Sequence, residues 1–121
     1  QLTNFMKNLT GRLRPCNTPE IRPLLRVFSY RPRGFSFWSG HAGVSTIFTT
    51  YTILLFRKKH KLIFLLVLFP MLFGYSRIYL GVHYPIDVTA GYIVGVIIGF
   101  LFYKLFKITY KKTFKEDLPL I

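Results

Sequence analysis

Three short segments carry the side chains that chemistry would need. Lys7 stands six residues ahead of Arg14-Pro15. Ser39-Gly40-His41 comes next. Then follow Ser76-Arg77, five residues, His83, three residues and Asp87. Lys7, Arg14 and Arg77 are three fixed positive charges, and the planar fork of arginine matches phosphate oxygens bidentately. Transfer of a phosphate group depends chiefly on positioning and on stabilising charge, so a cationic trio suits it. His83 and Asp87 are four residues apart, which places them on one face of a helical turn. Asp87 can then hold one ring nitrogen and aim the other. Ser39 sits where an N-cap would precede a long apolar run, and Gly40 lets the backbone come close. The first amides there would cradle an anion. Pro85 suits the first turn of a second helix pointing the same way. One carboxylate among three cations is the inverse of a two-metal phosphatase site, so no metal and no cofactor is implied.

These residues must be positioned by apolar elements. The 121 residues are 51% apolar, yet 17 Lys+Arg face only 4 Asp+Glu, a net charge of +13. That combination excludes a disordered chain, and the lone Cys16 excludes a disulfide scaffold. Three runs approach the length needed to cross a hydrocarbon core. They predict membrane helices over about 39–56, 62–80 and 84–104. Within the second run, residues 62–73 are apolar on every face and contain Pro70, which a membrane bundle tolerates. Arg57 to Lys61 form a basic loop, residues 104–121 a Lys-rich tail, and 21–30 a short interfacial helix. Gly91, Gly95 and Gly99 continue the His83–Asp87 spacing and predict close helix packing.

With all three runs spanning, Lys7–Pro15, Ser39–His41 and Arg77–Asp87 share one membrane face. Ionisable residues at such depth are costly and mark function. Nine Lys+Arg lie on the loop-and-tail side and eight on the other, three of them in the motif segments. The remaining excess favours a cytoplasmic loop and tail, with the site facing outward. Basic residues at opposite ends of membrane-length runs argue against a nucleic-acid partner. The opening Gln1-Leu2-Thr3-Asn4-Phe5-Met6 reads as the end of a helix whose beginning is absent. That makes the chain a single N-terminally truncated catalytic domain over 1–121.

The set K-x6-RP, SGH and SR-x5-H-x3-D resembles the type 2 phosphatidic acid phosphatase (PAP2) superfamily, integral-membrane lipid phosphatases that share a site with vanadium haloperoxidases. The resemblance covers about residues 5–90. Trp38 stands where the family pattern has proline. The resemblance implies an all-α transmembrane helical bundle, of which this chain is the C-terminal part of a six-helix protein. It implies His83 as nucleophile forming a phosphohistidine, His41 as general acid, and Asp87 as the orienting carboxylate. Lys7, Arg14, Ser39, Gly40 and Arg77 would bind the phosphate. The implied partners are the bilayer and an anionic lipid phosphate, in a multi-pass inner-membrane protein. Undecaprenyl diphosphate is the favoured substrate. Lipid A, phosphatidylglycerophosphate and phosphatidic acid stay open, as does transfer to an acceptor other than water. A non-enzymatic basic anchor is the weakest alternative. Arg22, Arg26, Arg31 and Arg33 are additional cations that would meet further charge on the substrate head or anionic lipid headgroups.

Overall fold

In the computed structural model, residues 2–25 and 32–115 are described. Four α-helices follow in chain order: α1 (Leu2–Thr10), α2 (Gly40–Phe56), α3 (Leu68–Tyr79) and α4 (Pro85–Phe114). Short 3-10 turns occupy Pro15–Asn17 and Arg22–Leu24. A longer 3-10 stretch, Lys61–Val67, leads directly into α3. Among the described residues there is no strand.

Capping explains where the helices begin. Ser39 is the N-cap of α2, its hydroxyl accepting from the Ala42 amide at 3.4 Å. Pro85 occupies the first turn of α4, where its missing N–H costs no bond. Asp87 caps that same helix, its Oδ2 accepting the Tyr84 N–H at 2.9 Å. Lys115, in the left-handed region at φ 55°, ends α4.

The second apolar run is not a single α-helix. The change from 3-10 to α falls just before Pro70, which therefore sits in the first turn of α3 rather than mid-helix. The 3-10 geometry also lengthens the rod. At about 2.0 Å per 3-10 residue and 1.5 Å per α residue, Lys61–Tyr79 reaches roughly 32 Å, a full hydrocarbon core. Two helical rods, Lys61–Tyr79 and Pro85–Phe114, are long and apolar enough to cross a membrane. α2, at 17 residues, is shorter.

Two expectations are corrected. Residues 104–114 are not a tail but the last turns of α4, which continues through Phe114. Lys104, Lys107, Lys111 and Lys112 break the apolar run without breaking the helix, because lysine is a good helix former. Where an interfacial helix was expected over 21–30, Arg22–Leu24 form a 3-10 turn that ends at Leu25, and residues 26–30 lie outside the described residues.

α2 and α4 make the principal packing pair, and α3 packs against both. The pair is close because α4 presents glycine. A Cβ on Gly95 would stand 2.6 Å from Thr46 Cβ and 2.7 Å from the Gly43 carbonyl oxygen. On Gly91 it would meet the Ser39 carbonyl oxygen at 2.7 Å, and on Gly99 Thr50 Cβ at 2.8 Å. The glycine stripe therefore brings the two backbones together, as small-residue seams do in membrane bundles.

Candidate active site

The segments that carry the chemistry are stitched to one another by backbone hydrogen bonds at one end of the bundle. The Ser36 amide donates to the Arg12 carbonyl at 2.8 Å, and the Cys16 amide to the Gly81 carbonyl at 2.9 Å. The Ser39 amide donates to the Asp87 carbonyl at 2.9 Å, tying the starts of α2 and α4 together. The turn between α3 and α4 folds back on itself, with the Val82 and His83 amides both donating to the Arg77 carbonyl. Segments up to 65 positions apart in the chain, Cys16 and Gly81, thus share one rim.

Arg14 is the hub. Its Nε donates to the Gly34 carbonyl at 3.3 Å and one terminal nitrogen to the Val82 carbonyl at 3.0 Å. The same nitrogen lies 3.4 Å from His83 Nε2. Both Arg14 and His83 are buried. With the proton on Nδ1, the Nε2 lone pair faces the guanidinium. Burial, followed by the charges of Arg14 and Lys7, pushes the His83 pKa down to about 4, against the opposing pull of Asp87. The ring is therefore neutral at pH 7, the state a nitrogen nucleophile requires.

The remaining predicted residues lie around this hub. The fields of Arg77, Lys7 and Arg14 all reach the His41 ring, which is exposed and packs edge-on against Phe73 with centroids 5.6 Å apart. Arg77 stacks over that same Phe73, 5.0 Å from its centroid. Lys7 lines a cavity of about 610 Å³ together with Gly40 and His41, walled below by Phe48, Phe69 and Phe73. Gly40 and His41 open α2, and amides of a first turn have no intrahelical carbonyl to bond. Ser39 has no exposed surface, and its hydroxyl is engaged as the cap. That cap holds the first turn of α2, with the Gly40 and His41 amides, in place.

The Asp87–His83 pair differs from the expected contact. Oδ2 of Asp87 lies 3.8 Å from His83 Nδ1, beyond hydrogen-bond reach, while the Ser36 backbone also favours the protonated ring. The carboxylate is committed elsewhere: to the Tyr84 amide through Oδ2, and to Arg12 at 3.2 Å through Oδ1. Arg12 also stacks on Tyr84, 4.9 Å from the ring centroid. Arg12 is the site residue that sequence reasoning missed. Its one signal in the sequence is its place inside the Lys7–Pro15 segment, two residues before Arg14.

This rim, built on a helical bundle, matches a known class. The PAP2 superfamily model matches residues 1–111, and the chain belongs to that superfamily. It is 45% identical over 94 residues to the lipid A 4'-phosphatase of Bacteroides thetaiotaomicron, covering 75% of this chain and 41% of that protein. It is 36% identical over 94 residues to the undecaprenyl-diphosphatase of Sulfolobus acidocaldarius, covering 77% and 43%. A lipid A 4'-phosphatase of Porphyromonas gingivalis is 31% identical over 93 residues, covering 76% and 39%. The chain therefore spans about two fifths of the length of the curated relatives it matches. No solved structure matches it.

Proposed function

We propose that the protein is an integral-membrane phosphatase that removes a phosphate group from a lipid through a phosphohistidine on His83. The observation that carries this reading is the 3.4 Å approach of the Arg14 guanidinium to His83 Nε2. A phosphate drawn to that guanidinium is within reach of the neutral ring nitrogen. Lys7, Arg14 and Arg77 balance its oxygens, and the free amides of α2 add further donors.

The steps follow from these positions. His83 Nε2 attacks phosphorus while the bond from phosphorus to the lipid oxygen breaks. His41 gives its proton to that oxygen, and the lipid alcohol, or the shortened lipid phosphate, departs. Water then attacks the phosphohistidine, His41 takes a proton from it, and inorganic phosphate leaves with His83 restored. The position of His41, in the lining of the apolar cavity beside Phe73, suits a donor to a leaving group that carries a hydrocarbon tail.

The names of the relatives at 45% and 31% identity favour a lipid A-type glycolipid phosphate as substrate. The relative at 36% supports a second reading, undecaprenyl diphosphate, the substrate favoured by analogy within the family. Phosphate release by the full-length protein, compared across lipid A, undecaprenyl diphosphate, phosphatidylglycerophosphate and phosphatidic acid, tests both. Release from none of the four would overturn the phosphatase reading. Vanadate at millimolar concentration should inhibit, since it imitates five-coordinate phosphorus, and EDTA should leave turnover intact. We place the site on the extracytoplasmic face of the inner membrane, which labelling of a cysteine introduced at position 60 from the cytoplasmic side tests.

A further inference from the structure

Of the four additional arginines, Arg26 and Arg31 lie outside the described residues, and of the other two the structure gives one a defined place beside the site. Arg33, Lys7 and Arg14 line a cleft of about 300 Å³ together with Asn4 and Asn8. No acidic side chain is in that lining. Two anchors on the motif segment hold the loop that carries Arg33. Arg14 Nε holds the Gly34 carbonyl, and Ser36 bonds the Arg12 carbonyl through both its amide and its hydroxyl. Gly34 itself is at φ 83°, a left-handed turn that glycine permits. The placement of Arg33 is thus tied to the same arginine that approaches His83. Arg22 sits apart on its 3-10 turn and does not line the cleft.

Lys7 borders two cavities of opposite character. One is the apolar cavity beside His41, and the other is this cationic cleft flanked by two carboxamides. A substrate with its reacting phosphate at Lys7 and Arg14 has hydrocarbon-lined space on one side and an anion-binding wall on the other. An exposed arginine with two asparagine carboxamides offers up to about nine N–H donors to a second anion. We propose that Arg33, Asn4 and Asn8 form a second anion subsite. It would select lipids whose heads carry a further phosphate besides the one removed. This rests on the phosphatase reading above and specifies its substrate class.

The second phosphate could belong to a diphosphate or to a separate ester on a glycolipid head, so both are tested. Four substrates in neutral detergent micelles form two matched pairs. A prenyl monophosphate is compared with its diphosphate, and a monophosphoryl glycolipid with its bisphosphoryl form, each pair sharing its tails. The wild type should favour the doubly phosphorylated member of at least one pair in kcat/KM. Arg33→Ala should reduce that preference about tenfold, the usual scale of one charge-assisted contact, and Arg33→Lys should restore most of it. The responding pair identifies the source of the second phosphate. A preference that Arg33→Ala leaves in place overturns the subsite. So does a loss that falls equally on both members of each pair, or one that occurs only in anionic vesicles, where Arg33 would be serving the membrane surface. A wild-type protein that releases phosphate from none of the four overturns the phosphatase reading and the subsite with it.

Discussion

At the rim, the largest fully buried side chains are Asp87, Ser36 and Ser39. Along the helical shafts Leu62, Leu65, Leu72 and Leu105 lie open. The inversion follows from two different solvents. Against lipid, an exposed leucine costs nothing, so the shafts derive no cohesion from hiding it and depend on backbone approach at Gly91, Gly95 and Gly99. At the rim, a desolvated charge needs a partner, so Arg14, Arg12, Asp87 and the caps are cross-bonded. The proposed site sits where polar groups are held by polar groups, and the shafts keep the two helix starts in register.

The comparison predicts that rim substitutions cost mainly turnover and shaft substitutions mainly stability, with Gly91, where the two meet, costing both. His83→Ala should lower kcat by roughly 10⁴-fold or more, as losses of a nucleophile do, with little change in melting temperature in detergent. His41→Ala should cost about 10²- to 10⁴-fold, the range for a general acid. Its phosphohistidine should still form from a substrate with an acidic leaving group such as p-nitrophenol. Acid-quenched labelling with a ³²P substrate reads both. A His83→Ala protein that retains turnover would put the chemistry elsewhere.

Glycine substitutions separate the shaft from the rim. Gly99→Ala and Gly91→Ala each place a methyl within 3 Å of backbone or Cβ across the seam, an overpacking cost of about 1–3 kcal/mol. Both should melt earlier. Gly91 abuts the Ser39 carbonyl at the start of α2, so its variant should also lose turnover, several-fold more than Gly99→Ala. Equal activity losses would mean that the seam does not position the rim.

What could be read from the sequence was local. Ser39 as a cap, Pro85 in a first turn and the glycine stripe each depend on neighbours within a turn or two, and each is found. Arg12 was not legible as a partner of Asp87, because 75 positions separate them and only the fold brings them together. The 3-10 stretch before α3 was hidden because residues 62–69 are uniformly apolar and carry no period to distinguish one helix type from another. The end of α4 was misplaced because the lysines from 104 onward mark a change of solvent, not a change of backbone. The motif side chains do gather at one rim, but the carboxylate expected on His83 divides its attention.

That division yields the smallest and most discriminating effect. Asp87 has no exposed surface, whereas Arg12 is 43% exposed, so the ion pair is anchored from the buried side. Asp87 raises the basicity of His83, while burial, Arg14 and Lys7 lower it further. Arg12 neutralises part of the Asp87 charge and so weakens its pull on the ring. Removing Arg12 frees that charge, and the His83 pKa should rise from about 4 toward the ordinary imidazole value. In the wild type the folded pKa is depressed, so between about pH 6.5 and pH 4 the unfolded chain binds a proton that the folded chain does not. The His83 contribution to stability is therefore lost as pH falls through that window. Arg12→Gln should narrow the window by raising its lower edge and should reduce kcat about tenfold by loosening Asp87. NMR of ¹⁵N-histidine in detergent measures both titrations directly. A His83 that titrates near 6.5 in the wild type, or does not move in Arg12→Gln, would show that Arg12 supports the fold of the rim without tuning the nucleophile.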